Sequence, residues 1–80
     1  MTIRLKGERE MIANKLKKIR MGEHEMSKRD FANFLEIGVT EMQYSRYEKA
    51  TQQPPLETAL KISNKLRKTV NEIWNIVDED

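Results

Sequence analysis

Ser27-Lys28-Arg29-Asp30-Phe31-Ala32-Asn33-Phe34-Leu35-Glu36-Ile37-Gly38-Val39-Thr40-Glu41-Met42-Gln43-Tyr44-Ser45-Arg46-Tyr47-Glu48-Lys49 is the stretch whose reading decides the fold. Ser27 has the chemistry of a helix N-cap, and Asp30 three residues on favours the positive helix end. Phe31, Ala32 and Leu35 then form an apolar stripe, and Gly38 supplies a left-handed residue to close the helix. Thr40 with Gln43 has capping-box spacing, so a new helix starts at once. Tyr44 and Tyr47 share one face of it, and it runs to about Lys49. The stretch predicts two short amphipathic helices joined by a tight break.

Working outward, Ile12, Leu16 and Ile19 recur at i, i+4 and i+7, which predicts a first helix over about 9–21, ended by Gly22. Lys15, Lys17, Lys18 and Arg20 fall on its other faces and are expected in solvent. Downstream, Ala50 to Gln53 followed by Pro54-Pro55 is a turn that no helix crosses easily. A fourth helix starts near Leu56, with Ala59, Leu60, Ile62, Ser63 and Leu66 facing inward. Thr69 and Glu72 form a further capping box for a short fifth helix containing Ile73, Trp74 and Val77, with Trp74 in the core or an interface. No stretch shows enough period-two alternation for a strand. The expected class is all-α: a compact five-helix domain over residues 9–77, after a flexible basic arm (1–8, with Arg4 and Lys6) and before an acidic tail (78–80).

At 80 residues the chain is one domain with a small core. It has no cysteine, so no disulfide holds it, and a reducing cytoplasm is the natural setting. No apolar run nears the roughly 20 residues of a membrane span, and the start lacks a signal-peptide pattern, so a soluble, unexported protein is expected. The net charge is only +2, but residues 1–40 carry nine Lys/Arg against six Asp/Glu, whereas residues 41–80 carry six against seven. That balance fits a polyanionic partner without requiring one. One histidine (His24), no phosphate-cradling glycine loop and no paired carboxylates in an apolar pocket leave no acid/base, nucleophile or metal set. Neither an enzyme nor a bound cofactor is expected.

In five ordered segments, from about Asn14 to Ile76, the chain resembles the Cro- and lambda-repressor-like helix-turn-helix family, also called the xenobiotic-response-element type. The segments are Leu16-Lys17-Lys18-Ile19-Arg20, Met26-Ser27-Lys28 leading into Phe31-Ala32 and Leu35, Gly38-Val39-Thr40, Ser45-Arg46-Tyr47-Glu48, and Pro54 to Ile62 with Asn71-Glu72-Ile73-Trp74. There are two departures. Glu36-Ile37 adds about two residues before the family's Gly-Val-Ser/Thr turn, which lengthens the second helix or its exit. Lys49-Ala50 stands where the family often has Asn-Gly, and because alanine disfavours positive φ, this turn is expected to take another shape.

The resemblance implies a double-stranded-DNA-binding transcriptional regulator of the repressor kind found in phages, plasmids and restriction systems, acting as a homodimer on a palindromic operator. The pattern of the third helix agrees independently: a helix admitted to the major groove buries one side and shows polar groups on the other. Tyr44 and Tyr47 point in, while Glu41, Met42, Ser45 and Arg46 point out and Gln43 lies at the flank. Glu41 suits a cytosine amine, Met42 a thymine methyl, and Arg46 a guanine or a phosphate. Glu41 equally suits the helix dipole, and Met42 a partner surface. Lys28 at the second helix's start, and Lys49, Thr51 and Gln53 after the third, are the phosphate-contact candidates. Glu48 is expected to pair with a basic residue of the first helix or to cap locally. Trp74, Ile76 and Val77 are the expected dimer surface. The rival reading is a protein-interaction module of the same fold, of the antitoxin or anti-repressor type, with little or no DNA binding.

Overall fold

The computed structural model describes residues 10–78, with side-chain environments for residues 11–77. Arg4, Lys6 and the rest of the expected arm, together with Glu79 and Asp80, lie outside the described residues. In order come β1 (Glu10–Asn14), α1 (Leu16–Ile19), which widens into a π-helical turn (Arg20–His24), then α2 (Lys28–Leu35), α3 (Glu41–Glu48), α4 (Leu56–Leu66), α5 (Val70–Ile73) and β2 (Trp74–Asp78). The five helices of the expected lambda-repressor-like fold are all present.

One apolar cluster joins them. Leu16 and Ile19 of α1, Phe31, Ala32 and Leu35 of α2, Tyr44 and Tyr47 of α3, Ala59, Ile62 and Leu66 of α4, and Ile73 with Trp74 are all buried. Phe31 meets the edge of Tyr44 with ring centroids 5.3 Å apart, which locks α2 to α3. The caps read from sequence form as expected. Ser27 Oγ accepts from Asp30 N, and the Thr40/Gln43 and Thr69/Glu72 boxes close in both directions.

The structure corrects the rest of the expected architecture. The fold is mostly α rather than all-α, because β1 and β2 form an antiparallel ribbon in which Ile12 faces Ile76 and Asn14 faces Trp74. The first helix starts at Leu16, not near residue 9, because Asn14 Oδ1 accepts the Leu16 N–H and stops helix from propagating backward. The fifth helix lasts one turn. The chain then turns extended at Trp74 (φ −113°, ψ 139°), where Ile76 and Val77 prefer a pleated ribbon. Gly22 does not end α1; the helix continues through it, and Glu25 takes the left-handed cap (φ 53°). Likewise α2 ends at Leu35 with Glu36 left-handed (φ 55°), before Gly38 (φ 78°). The two additional residues therefore lengthen the exit rather than the helix, and Ile37 packs against the core. Ala50 adopts positive φ (61°) despite its Cβ, so the turn after α3 keeps a left-handed residue that alanine was expected to avoid. Leu60 is exposed (46%) rather than inward, and Arg20 is buried rather than solvated.

Candidate nucleic-acid interface

What matters about α3 is how it is held, because its outer face is useful only if its inner face is fixed. Tyr44 (0% exposed) and Tyr47 (4%) are sunk into the core. At its C-terminal end Asn14 Nδ2 donates to Tyr47 O at 2.9 Å, so one asparagine both accepts the first N–H of α1 and ties that helix start to α3. Beside this, Arg20 makes a bidentate pair with Glu48, Nε to Oε2 at 2.9 Å and Nη2 to Oε1 at 3.0 Å. Its Nη1 donates to Met26 O at 2.8 Å. That guanidinium joins α1, the connection into α2 and the last turn of α3.

The electrostatics of this clamp follow from burial and pairing. Burial pushes the Glu48 carboxyl up, but the Arg20 hydrogen bonds, the adjacent Tyr44 hydroxyl and the charges of Arg20 and Lys28 outweigh it and leave the group below the usual carboxylate range. Hydrogen bonding to Glu48 holds Arg20 above its ordinary value against the desolvation that opposes it. Burial, reinforced by the Glu48 charge, pushes the Tyr44 phenol far up. Its Oη sits beside the pair but meets no partner in hydrogen-bonding geometry.

The outer face carries the expected base-reading residues. Thr40, Glu41, Met42 and Ser45 line a shallow hollow at the start of α3, and Met42 is 64% exposed. Arg46 is exposed one turn on, and among the described residues it has no carboxylate partner. Two of the candidates are partly engaged. Gln43 Oε1 accepts from Thr40 N at 3.1 Å, which commits its amide oxygen to the cap. Ser45 Oγ accepts from Lys28 Nζ at 3.3 Å. That bond brings the start of α2 onto the flank of α3, so a phosphate candidate and a base-reading candidate share one edge. At that start Asp30 N and Phe31 N are satisfied by Ser27, leaving the Lys28 and Arg29 N–H groups without an intrahelical acceptor. On the other side, Thr51 N, Thr51 Oγ1 and Gln52 N all bond Arg46 O, folding the loop back over the helix end. Lys49, Thr51 and Gln53 are exposed there. Lys65 and Lys68, by contrast, are occupied by Glu36 (3.3 Å) and Glu23 (3.2 Å).

A family model described as helix-turn-helix matches residues 16–73. The chain belongs to the Cro/lambda-repressor-like helix-turn-helix family. Within this helix-turn-helix protein, α2 and α3 are the motif's pair, and the family is one of DNA-binding regulators, not of enzymes. Neither a curated relative nor a solved structure gives a significant match. Among the described residues, no helix is long and apolar enough to cross a membrane, and no cluster of three or more His, Cys, Asp or Glu could hold a metal ion.

Sequence reasoning missed two members of the site. Asn14 falls within the expected helical pattern, although an asparagine can accept the N–H two residues on in an Asx turn and so mark a helix start. Arg20 is expected in solvent with its lysine neighbours, although Glu48 is expected to pair with a basic residue of the first helix or to cap locally; the structure makes Arg20 that residue. Only arginine among them has the planar fork that a buried bidentate pair needs.

Proposed function

We propose that this helix-turn-helix protein is a sequence-specific double-stranded-DNA-binding regulator of transcription, a repressor of the phage, plasmid or restriction-system kind, that inserts α3 into the major groove. The observation that carries this reading is the two-sidedness of α3: both tyrosines are sealed inside while Glu41, Met42 and Arg46 stand free outside. Arg46 bonds a guanine edge, and Glu41 and Met42 discriminate neighbouring positions, with Ser45 and Gln43 as flanking contacts. Lys28 with the exposed N–H groups of α2, and Lys49, Thr51 and Gln53 across the helix, grip phosphates on either side and set the depth of insertion. The protein acts as a homodimer on a palindromic operator whose half-sites lie about 34 Å apart.

The test is affinity for duplex DNA across a salt series, followed by selection of bound sequences from a random pool. Contact with roughly 4–6 phosphates gives log affinity falling linearly with log salt at a slope of about −4 to −5, with one enriched palindromic motif. A salt-independent response with no enriched sequence would remove this reading and leave the protein-interaction module in its place.

A further inference from the structure

The turn after α3 is unfavourable for its own sequence, yet it carries one side of the proposed phosphate grip. Ala50 sits at φ 61°, a region that a Cβ disfavours. The turn closes on two carbonyls at the end of α3. Tyr47 O accepts from Ala50 N at 3.0 Å, and Arg46 O accepts from Thr51 N at 3.1 Å and from Gln52 N at 3.3 Å. Lys49, Thr51 and Gln53 ride on this turn, all exposed. Among the described residues, one donor from another element reaches either carbonyl: Asn14 Nδ2, 2.9 Å from Tyr47 O.

Asn14 is itself held from both sides. It is the last residue of β1, opposite Trp74, and the next residue's Lys15 N donates to Ile73 O at 2.9 Å. Its Oδ1 accepts the Leu16 N–H at 3.0 Å, which fixes the plane of the amide and aims Nδ2 at Tyr47 O. Turning the amide over would set donor against donor at Leu16 and oxygen against oxygen at Tyr47. A primary amide offers an acceptor and a donor from one rigid plane, which neither a carboxylate nor a short hydroxyl does. We infer that Asn14 is a positioning residue for DNA contact. Through Tyr47 O it holds the exit of α3, and with it Lys49, Thr51 and Gln53, in register with the ribbon and the start of α1. Without that tie, Ala50 relaxes out of the left-handed region, the turn's bonds to Arg46 O go with it, and Lys49 loses its fixed place beside α3. The inference rests on the proposed DNA-binding function and adds a residue that acts through the turn rather than on the duplex.

The test uses the full chain as wild type, Asn14→Ser and Asn14→Asp, with Ile62→Val in the core as a control for stability alone. Serine and aspartate both keep an acceptor for Leu16 N–H and lose the donor to Tyr47 O. One is neutral and one charged, so agreement between them separates the lost donor from an added charge. Binding is measured well below the melting midpoints, on the duplex recovered by random-pool selection and on an unrelated duplex of equal length. Both Asn14 variants should bind the selected duplex about 10-fold more weakly, with a salt slope less steep by about one as the Lys49 contact is lost. Ile62→Val should melt lower and bind as wild type does. Amide exchange of Ala50, Thr51 and Gln52 should quicken by about 10-fold in Asn14→Ser, while that of Leu35 in α2 stays unchanged. Loss of the fold in both variants, or binding and salt slope equal to wild type in both, makes the role of Asn14 structural and overturns the inference. A wild type that binds no duplex removes the proposed function instead. The exchange rates then decide whether Asn14 holds the turn at all, and unchanged rates overturn that too.

Discussion

Replacing Glu48 by glutamine should cost far more than its modest chemistry suggests. In the folded chain the Glu48 side chain is 4% exposed and that of Arg20 9%. Two of the three guanidinium hydrogen bonds end on this carboxylate, at 2.9 and 3.0 Å. The amide is nearly isosteric, but it carries no charge and turns one acceptor into a donor facing another donor. Arg20 stays buried and charged, with Met26 O as its remaining partner. Removing one member of a buried pair costs about 3–5 kcal/mol, because a buried charge is left uncompensated. A domain of this size holds roughly 4–12 kcal/mol in total, so Glu48→Gln should lose about a quarter of it or more. At about 4–8 °C per kcal/mol the melting midpoint should fall by at least about 12 °C.

Urea unfolding followed by far-ultraviolet circular dichroism at neutral pH measures this. The companion double variant Arg20→Met with Glu48→Leu removes both charges and keeps the volume, and should recover most of the loss. A single-variant cost below about 1 kcal/mol, the level of a surface pair, would refute the reasoning. So would a double variant as unstable as the two singles summed. Acid supplies a third arm. Because the folded-state Glu48 carboxyl is held below the ordinary value of 4.5, its contribution is fully present above that value and is lost as pH falls through the lower folded one. Wild type should therefore weaken on acidification below about pH 4.5, and Glu48→Gln by less. Glu72, lowered by its hydrogen bonds from Thr69, keeps some acid sensitivity in both.

Phe31→Ala removes a fully buried ring and should cost about 3–5 kcal/mol, whereas Leu60→Ala, at a half-exposed position, should change stability by no more than about 0.5 kcal/mol in the same unfolding assay. Ala50→Gly should stabilise by about 0.5–1 kcal/mol, read as a raised melting midpoint, because glycine adopts φ 61° without the Cβ penalty. Tyr44→Phe deletes the buried hydroxyl that lies beside Glu48 and helps hold its carboxyl low, and should lower stability at neutral pH by no more than about 1 kcal/mol. On the selected operator, Arg46→Ala should cost about 1–3 kcal/mol and relax one base position, while Lys28→Ala should weaken all duplexes alike in gel-shift titrations.

The parts of this fold that could be read from sequence are those governed by nearby residues. Ser27, Thr40 and Thr69 each find their acceptor or donor within three residues, so the starts of α2, α3 and α5 are written locally. Tyr44 and Tyr47 are one helical turn apart, and their burial follows from that spacing alone. The helix ends were harder. Glycine was assigned the left-handed role at positions 22 and 38, yet Glu25 and Glu36 end α1 and α2, and Arg67 ends α4. Capping preference is worth only about 1 kcal/mol per residue, and packing of the following segment overrides it. The outer face of α3 was legible as a list of side chains, but not as partners. That Lys28 reaches Ser45, or that Gln43 turns its oxygen back onto its own cap, depends on the angle between helices and on rotamers.

The ribbon shows why pattern alone misled at both ends of the chain. Ile12, Leu16 and Ile19 satisfy a helical period, and Ile73, Trp74 and Val77 satisfy it again, so each segment alone is ambiguous. What decides between helix and strand is a partner about sixty residues away: Asn14 opposite Trp74, Ile12 opposite Ile76, and Lys15 N bonded to Ile73 O at 2.9 Å. Pairing at that separation leaves no local trace. It has a structural consequence, however. A helix holding Trp74, Ile76 and Val77 would spread them around its axis, whereas a strand alternates them, putting Trp74 and Ile76 on one side and Val77 on the other. Only the strand aligns Ile76 with Ile12 and sets both beside Trp74. The exposed apolar pair of Ile12 and Ile76 thus exists because the chain leaves the helix after Ile73.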